Sequence, residues 1–522
     1  MKNCTNSIKV SVILICMTLQ ASAQVTGLGF TEFENSGAME AQEAFSRGIL
    51  LLHSFEYEDS REAFMEARTT DPGFAMAYWG EAMTYNHPIW MRQKTDQGRA
   101  ALMRLAPDLE GRLSKAPTQR EKEYLKAVEV LYFGGEDKKD RDAAYQQKME
   151  LLSGNYPDDL DAAALHALSF LGLAHDGRDF ALYMQAAAIA EEVFTKNPQH
   201  PGAAHYLIHA YDDPIHAPLG LRAARVYADI APNASHALHM PSHIFSALGM
   251  WPEMAAANED AYAASVKWME RKGLKIHSGA FHARHWRAYA YQQLGRYADA
   301  EKLHNDMIRD LQESDSEKYP MGYAMMMLSN YFADTNRWDS EFAKIEFNSE
   351  DYSPAIRANI YFIRGKAALS NGKEGSARKS LSELMKLEGN QENIALLLQH
   401  QLKAELLKFE GNLDGAIEVL EQAAKIDSER PLDYGPPEPG KPTHELLGEF
   451  YLIANKGQEA IGAFQASLAR APGRSMSYVG LSKAAQMVSD EQLYRQSITK
   501  LMENWKGADS HVTEMYLSDF VK

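Results

Sequence analysis

The chain has 522 residues, 45% of them hydrophobic, with 54 basic against 71 acidic side chains. Its formal charge of −17, which becomes −19 once the two lysines of an amino-terminal leader are subtracted, repels phosphate backbones and excludes nucleic acid and anionic membrane as general partners. Both cysteines, Cys4 and Cys16, fall in that leader, so the remaining chain offers no disulfide, thiolate metal site or cysteine nucleophile.

In chain order, Lys2 and Lys9 give a positive start, Val10 to Leu19 form a short apolar core, and Ala21-Ser22-Ala23 is a small-residue cleavage site. Residues 1–23 therefore read as a secretory signal peptide, and the protein as exported and periplasmic. The apolar stretch is too short for a bilayer of about 30 Å. No later segment is continuously apolar over a span's length, so no transmembrane segment is expected.

Residues 24–87 carry a spaced pattern of small, bulky and proline residues: Gly48, Leu51, Ser60, Phe64, Ala67 and Pro72. Gly448, Tyr451, Ala460, Phe464, Ser467 and Pro472 repeat it at the same spacings in residues 443–522. This resembles the tetratricopeptide repeat, two antiparallel helices packing small residues where they cross. Residues 88–160 keep helical periodicity but lose the repeat spacing, which predicts a degenerate or inserted helical region. Regular repeats are expected again over 161–310, the histidine-rich central block, and over 311–429. Five prolines and two glycines make 430–442 an irregular loop that either crosses the groove or links the last repeats. The expected fold is all-α, a superhelical solenoid of antiparallel helix pairs.

The central block holds 12 of the 18 histidines, between His166 and His285. His205 and His209 recur as His239 and His243, one 34-residue period later. In such a solenoid the first helix of each repeat lines the concave face. Counting from Pro198 and Pro232, His205, His209, Asp212 and Asp213 take groove positions five, nine, twelve and thirteen. His236, His239 and His243 take positions two, five and nine of the next repeat, and His282 and His285 positions two and five of the one after.

Residues four apart share a helix face, so His205, His209, His239 and His243 are candidate ligands of one transition metal, with Asp212 adding an oxygen. That set suits zinc foremost, then copper, nickel or iron. A polar ligand groove and imidazoles that merely satisfy buried carbonyls are the competing readings. A two-histidine zinc protease needs a glutamate after its first histidine. Tyr206-Leu207-Ile208 and Met240-Pro241-Ser242 supply none, so any hydrolysis would fall to Asp212, Asp213 or Glu259, and no catalytic residue is assigned. Farther toward the amino terminus, Trp79 and His87 occupy groove positions where a ring could stack on a sugar or peptide.

The stretches His209 to Pro214 (His-Ala-Tyr-Asp-Asp-Pro) and His239 to Phe245 (His-Met-Pro-Ser-His-Ile-Phe) are similar to the central block of exported bacterial tetratricopeptide-repeat proteins of unassigned activity. The resemblance implies a helical-repeat fold and export. It leads to a periplasmic binding or scaffold protein whose groove takes a protein, peptide or glycan. The alternatives are a metal-binding protein, in its furthest form a metal-dependent hydrolase, and an accessory of polysaccharide degradation or uptake.

Overall fold

The computed structural model describes residues 26–275, 277–313, 321–347, 352–387, 394–432 and 434–517, so the leader lies outside the described residues. Helix follows helix in antiparallel pairs, from Gln42–His53 with Tyr57–Thr70 to Ser475–Met487 with Glu491–Asn504. The sole strands among the described residues are Asn86–His87 and Arg92–Gln93, a two-residue hairpin. No described helix is long and apolar enough to cross a membrane.

The repeated glycines explain how the pairs stack. A Cβ on Gly48 would stand 2.8 Å from the Phe64 ring, and one on Gly80, in the next repeat, 2.4 Å from it. At the other end of the chain Phe464 is gripped the same way, by Gly448 and Gly480, at 2.8 and 2.1 Å. In these two repeats one fully buried phenylalanine thus keys the second helix between two first helices whose backbones approach only because they carry no side chain there. The region 88–160 breaks this rhythm with Thr95–Leu105, Leu109–Lys115, Gln119–Phe133 and Lys138–Asn155. Thr118 and Glu121 close a capping box at the start of the third of these helices.

The solenoid folds back on its central block. At the amino terminus Phe30 N–H donates to the Gln199 carbonyl at 2.9 Å, and Asn233 N–H to that of Gly27 at 2.9 Å. At the carboxyl end Ser475 and Trp505 donate to the Gln293 carbonyl at 2.6 and 3.2 Å. The fully buried Arg474 guanidinium joins Asp334 at 2.5 Å to Glu445 at 2.7 Å.

The proline-rich loop crosses the concave side. Arg178 stacks under Tyr434 and Tyr183 while donating to Asp213 at 2.8 Å, and Asn330 donates to the Pro437 carbonyl at 3.2 Å. Gly435 lies flat on the Trp286 ring, where a Cβ would come within 2.2 Å. An open, solvated groove was the expectation from repeat geometry. The central concave face is instead crossed by the strap, and both ends of the chain bond to the turns of the central block.

If the phenylalanine key holds the stack, Phe464→Ala should cost about 3–5 kcal/mol of the stability of the carboxy-terminal repeats. Exposed Met487→Ala should be near neutral. Urea unfolding followed by circular dichroism checks both.

Candidate metal centre

The helix Pro201–Tyr211 is buried along its whole length and carries His205 and His209 one turn apart. Their Nε2 atoms lie 3.1 Å from each other. One repeat on, His239 ends a short helix, Ser235–His239, and His243 sits in the next, Pro241–Ala247. Pro241 heads the second segment, where its missing N–H costs nothing, and the chain keeps helical direction across the break. The two imidazoles therefore stay one turn apart, with Nε2 atoms again 3.1 Å from each other.

Each pair gains a third histidine from the following repeat. His236 joins His205 and His209, and His282 joins His239 and His243, the ligand nitrogens of each triad lying within 4.8 Å of one another. In register terms both triads are built alike: positions five and nine of one repeat and position two of the next. The two abut, with the His209 and His243 ring centres 6.0 Å apart and those of His236 and His239 6.2 Å apart. Phe55 closes on the first triad, 4.3 Å from the His205 ring, and Trp286 on the second, 4.4 Å from the His243 ring.

Hydrogen bonding assigns the protons. His205 Nδ1 faces the His53 carbonyl at 2.7 Å, so it must donate and its Nε2 keeps a lone pair. His239 Nδ1 donates to Asn258 Oδ1 at 2.7 Å, the amide being fixed by its own donation to the Met254 carbonyl at 2.8 Å. His243 Nδ1 donates to Asp212 Oδ2 at 2.5 Å. With the Nδ1 protons of His239 and His243 directed outward, their Nε2 atoms face each other at 3.1 Å, and the contact is closed only by a cation between them, a second proton or a metal ion. His236 Nε2 and His282 Nδ1 are likewise buried without a partner.

Burial, reinforced by neighbouring imidazoles, holds His205, His209, His236 and His282 well below the usual histidine range. The same causes press His239 down to about 3, against the donation to Asn258. Neutral imidazole is the metal-binding form.

Other expected residues lie elsewhere. Asp212 belongs to neither triad and takes the His243 Nδ1 proton from behind. Asp213 is paired to Arg178 at 2.8 Å and to His216 at 2.9 Å, and Glu259 to Arg287 at 3.0 Å. None of the three carboxylates considered for hydrolysis is thus free beside the triads. His285 sits in the third repeat's wall, its Nε2 2.9 Å from Asn330 Oδ1. His87 stacks on Tyr57 at 4.0 Å, and Trp79, 1% exposed, packs against Phe33 and Tyr124 instead of offering a ring to a ligand.

Sequence reasoning passed over the supports Asn258, Phe55 and Trp286, and a third cluster, His53, Asp161 and His200. Most of that cluster is satisfied internally, His200 Nε2 alone lacking a close hydrogen-bond partner. Ala203 N–H donates to His200 Nδ1 at 3.2 Å, leaving the proton on Nε2, which points at Asp161 from 3.5 Å. His53 takes the Tyr206 hydroxyl on Nδ1 and gives its Nε2 proton to Asp161, both at 2.8 Å. Burial alone would raise the Asp161 carboxyl, but the hydrogen bonds from His200 and His53 outweigh it and hold the group below the carboxylate range. Both imidazoles of this cluster use their ring nitrogens on Tyr206, Asp161 and the Ala203 N–H, and the cluster fixes the His53 carbonyl that aims His205.

The tetratricopeptide-repeat sequence pattern matches residues 400–430. No curated protein sequence matches the chain. Solved structures similar to it include yeast Tom70, at 14% identity over 88% of this chain and 99% of that one, with a TM-score of 0.35. The Cut9–Hcn1 hetero-tetramer of APC/C shares 12% identity over 90% and 78%, with a TM-score of 0.35. The P58(IPK) TPR domain shares 14% over 87% and 99%, with a TM-score of 0.23.

Imidazoles held neutral by the fold take up protons when it opens. Stability of the metal-free protein should therefore be fully present above pH 6.5 and fall as the pH drops below it, because the unfolded chain binds the extra protons. The limiting slope is about 1.4 kcal/mol per pH unit for each such histidine. Melting temperature measured from pH 7.5 to 5 tests this, and a flat profile would contradict it.

Proposed function

Because the chain is a tetratricopeptide-repeat solenoid, we propose that its central block is a transition-metal site carried on a scaffold of the kind that engages protein partners. The carrying observation is the pair of Nε2 atoms of His239 and His243, 3.1 Å apart with both Nδ1 protons committed elsewhere. Two buried imidazole nitrogens at that distance need a proton or a metal ion between them, and the metal uses both rings in their neutral form. Two imidazole nitrogens on one tetrahedral metal, at bonds of about 2.0 to 2.1 Å, stand about 3.3 Å apart. The spacing in both pairs is close to that value.

Orienting partners support the same reading. A carbonyl, an amide and a carboxylate each take the far proton of a ligand histidine, the arrangement that fixes a metal-binding tautomer. Three nitrogens per triad leave a coordination position open, as a site that binds or transforms a small molecule requires. The leader of residues 1–23 supports placing the protein outside the cytoplasm.

Partner binding has its own observation. A cavity of about 520 Å³ in the carboxy-terminal half is lined by the Trp338 and Phe362 rings and by Lys366, Lys408 and Lys441. Lys366 and Lys408 pair with Glu405 and Lys441 with Glu449, so rings and balanced ion pairs line a cavity that suits a peptide with polar and apolar side chains, apart from the triads.

Protein purified without chelator and offered zinc, copper, nickel and iron should retain two equivalents of transition metal by elemental analysis. His209→Ala and His243→Ala should each lose one, while His285→Ala keeps both. Retention below about one tenth of an equivalent would overturn the metal reading, since even modest sites hold metal through gel filtration.

A further inference from the structure

Resting on the reading of the triads as metal sites, we propose that they take copper and work as one centre, two copper(I) ions side by side that bind dioxygen between them. Three features carry this beyond metal binding in general.

The first is charge. Each triad presents three imidazoles, and no carboxylate joins either triad among the described residues. Asp212 and Glu56 meet the triads only from behind, through His243 Nδ1 and the His236 backbone N–H, and the Arg178 cation bears on His209. Two divalent ions in such a pocket would place four positive charges among buried neutral rings, whereas two copper(I) ions place two. Imidazole suits copper as it suits zinc, so the charge decides between them. On this ground copper, and not the zinc expected from the ligand types alone, is the resident ion.

Adjacency is the second. Rings of the two triads approach to 6.0 and 6.2 Å between centres, so ions held at them are near enough to share one small ligand. The third is the lining. Phe55, Tyr227 and Trp286 wall the triads, and the half-buried His236 and His282 form their outer side. A small uncharged molecule reaches such surroundings at little desolvation cost.

The step balances. Each copper(I) gives one electron, dioxygen accepts two and becomes bridging peroxide, the O–O σ bond stays, and copper–oxygen bonds form to both ions. No proton is needed. The dianion offsets the charge gained by the two copper(II) ions, and the reverse transfer releases dioxygen.

The full chain, loaded with copper(I) under anaerobic reducing conditions and then exposed to dioxygen, should develop an intense near-ultraviolet charge-transfer band. It should remain silent in electron paramagnetic resonance through coupling of the two copper(II) ions. His236→Ala and His282→Ala, at the outer side, should each hold one copper instead of two, lose the band, and give the signal of an isolated copper(II) on oxidation. Two equivalents of zinc with copper refused would overturn this proposal and leave the metal site standing. Two coppers that oxidise to two independent paramagnetic centres would overturn the pairing alone. Absence of any bound metal would overturn both readings.

Discussion

Burying several histidines side by side is the constraint on which the rest of this structure turns. A neutral imidazole carries one donor and one acceptor, and each left unpaired in the interior costs on the order of 1–3 kcal/mol. Here Nδ1 of His205, His239 and His243 is satisfied by a carbonyl, an amide and a carboxylate, and that choice forces the lone pairs inward. The supports come from distant parts of the chain: His53 from the first repeat, Asp212 and Asn258 from the middle. The fold therefore spends long-range order on aiming nitrogens, which core packing alone would not demand.

The repeat supplies the aim twice. Positions five and nine of one first helix and position two of the next form a triad, and the same operation one repeat later forms another. At the third repeat the series stops, because position nine is Tyr289 and His285 is bound to Asn330. Closure then isolates what the repeats built. Arg474, with Asp334 and Glu445, ties the end of the chain to its middle, while Gly435 lets the proline-rich strap lie on Trp286. Rigid enclosure suits a site whose ligands must not drift.

The helical pairing was legible in the sequence because Gly48, Phe64, Gly448 and Phe464 occupy spacings that only close helix crossings require. The members of the triads were legible too, since His236 and His282 share position two. Their partition was not. Proximity along one helix favoured His205, His209, His239 and His243 as a single set, whereas the rise from repeat to repeat separates them into two triads completed from the following helix. Asp212 looked like a ligand because it is one turn past His209, yet the end of the helix at Tyr211 turns it behind His243. Burial was hidden as well. Nothing local in Gly27 or Ser475 announces that both ends of the chain return to the central block.

Anomalous diffraction from crystals of the metal-loaded protein, collected on either side of the copper edge, tests the central claim most directly. The account predicts two peaks, one at each triad, each bonded to three imidazole nitrogens at about 2.0 Å. A single peak shared by His205, His209, His239 and His243, or density for water alone between the His239 and His243 nitrogens, would contradict it.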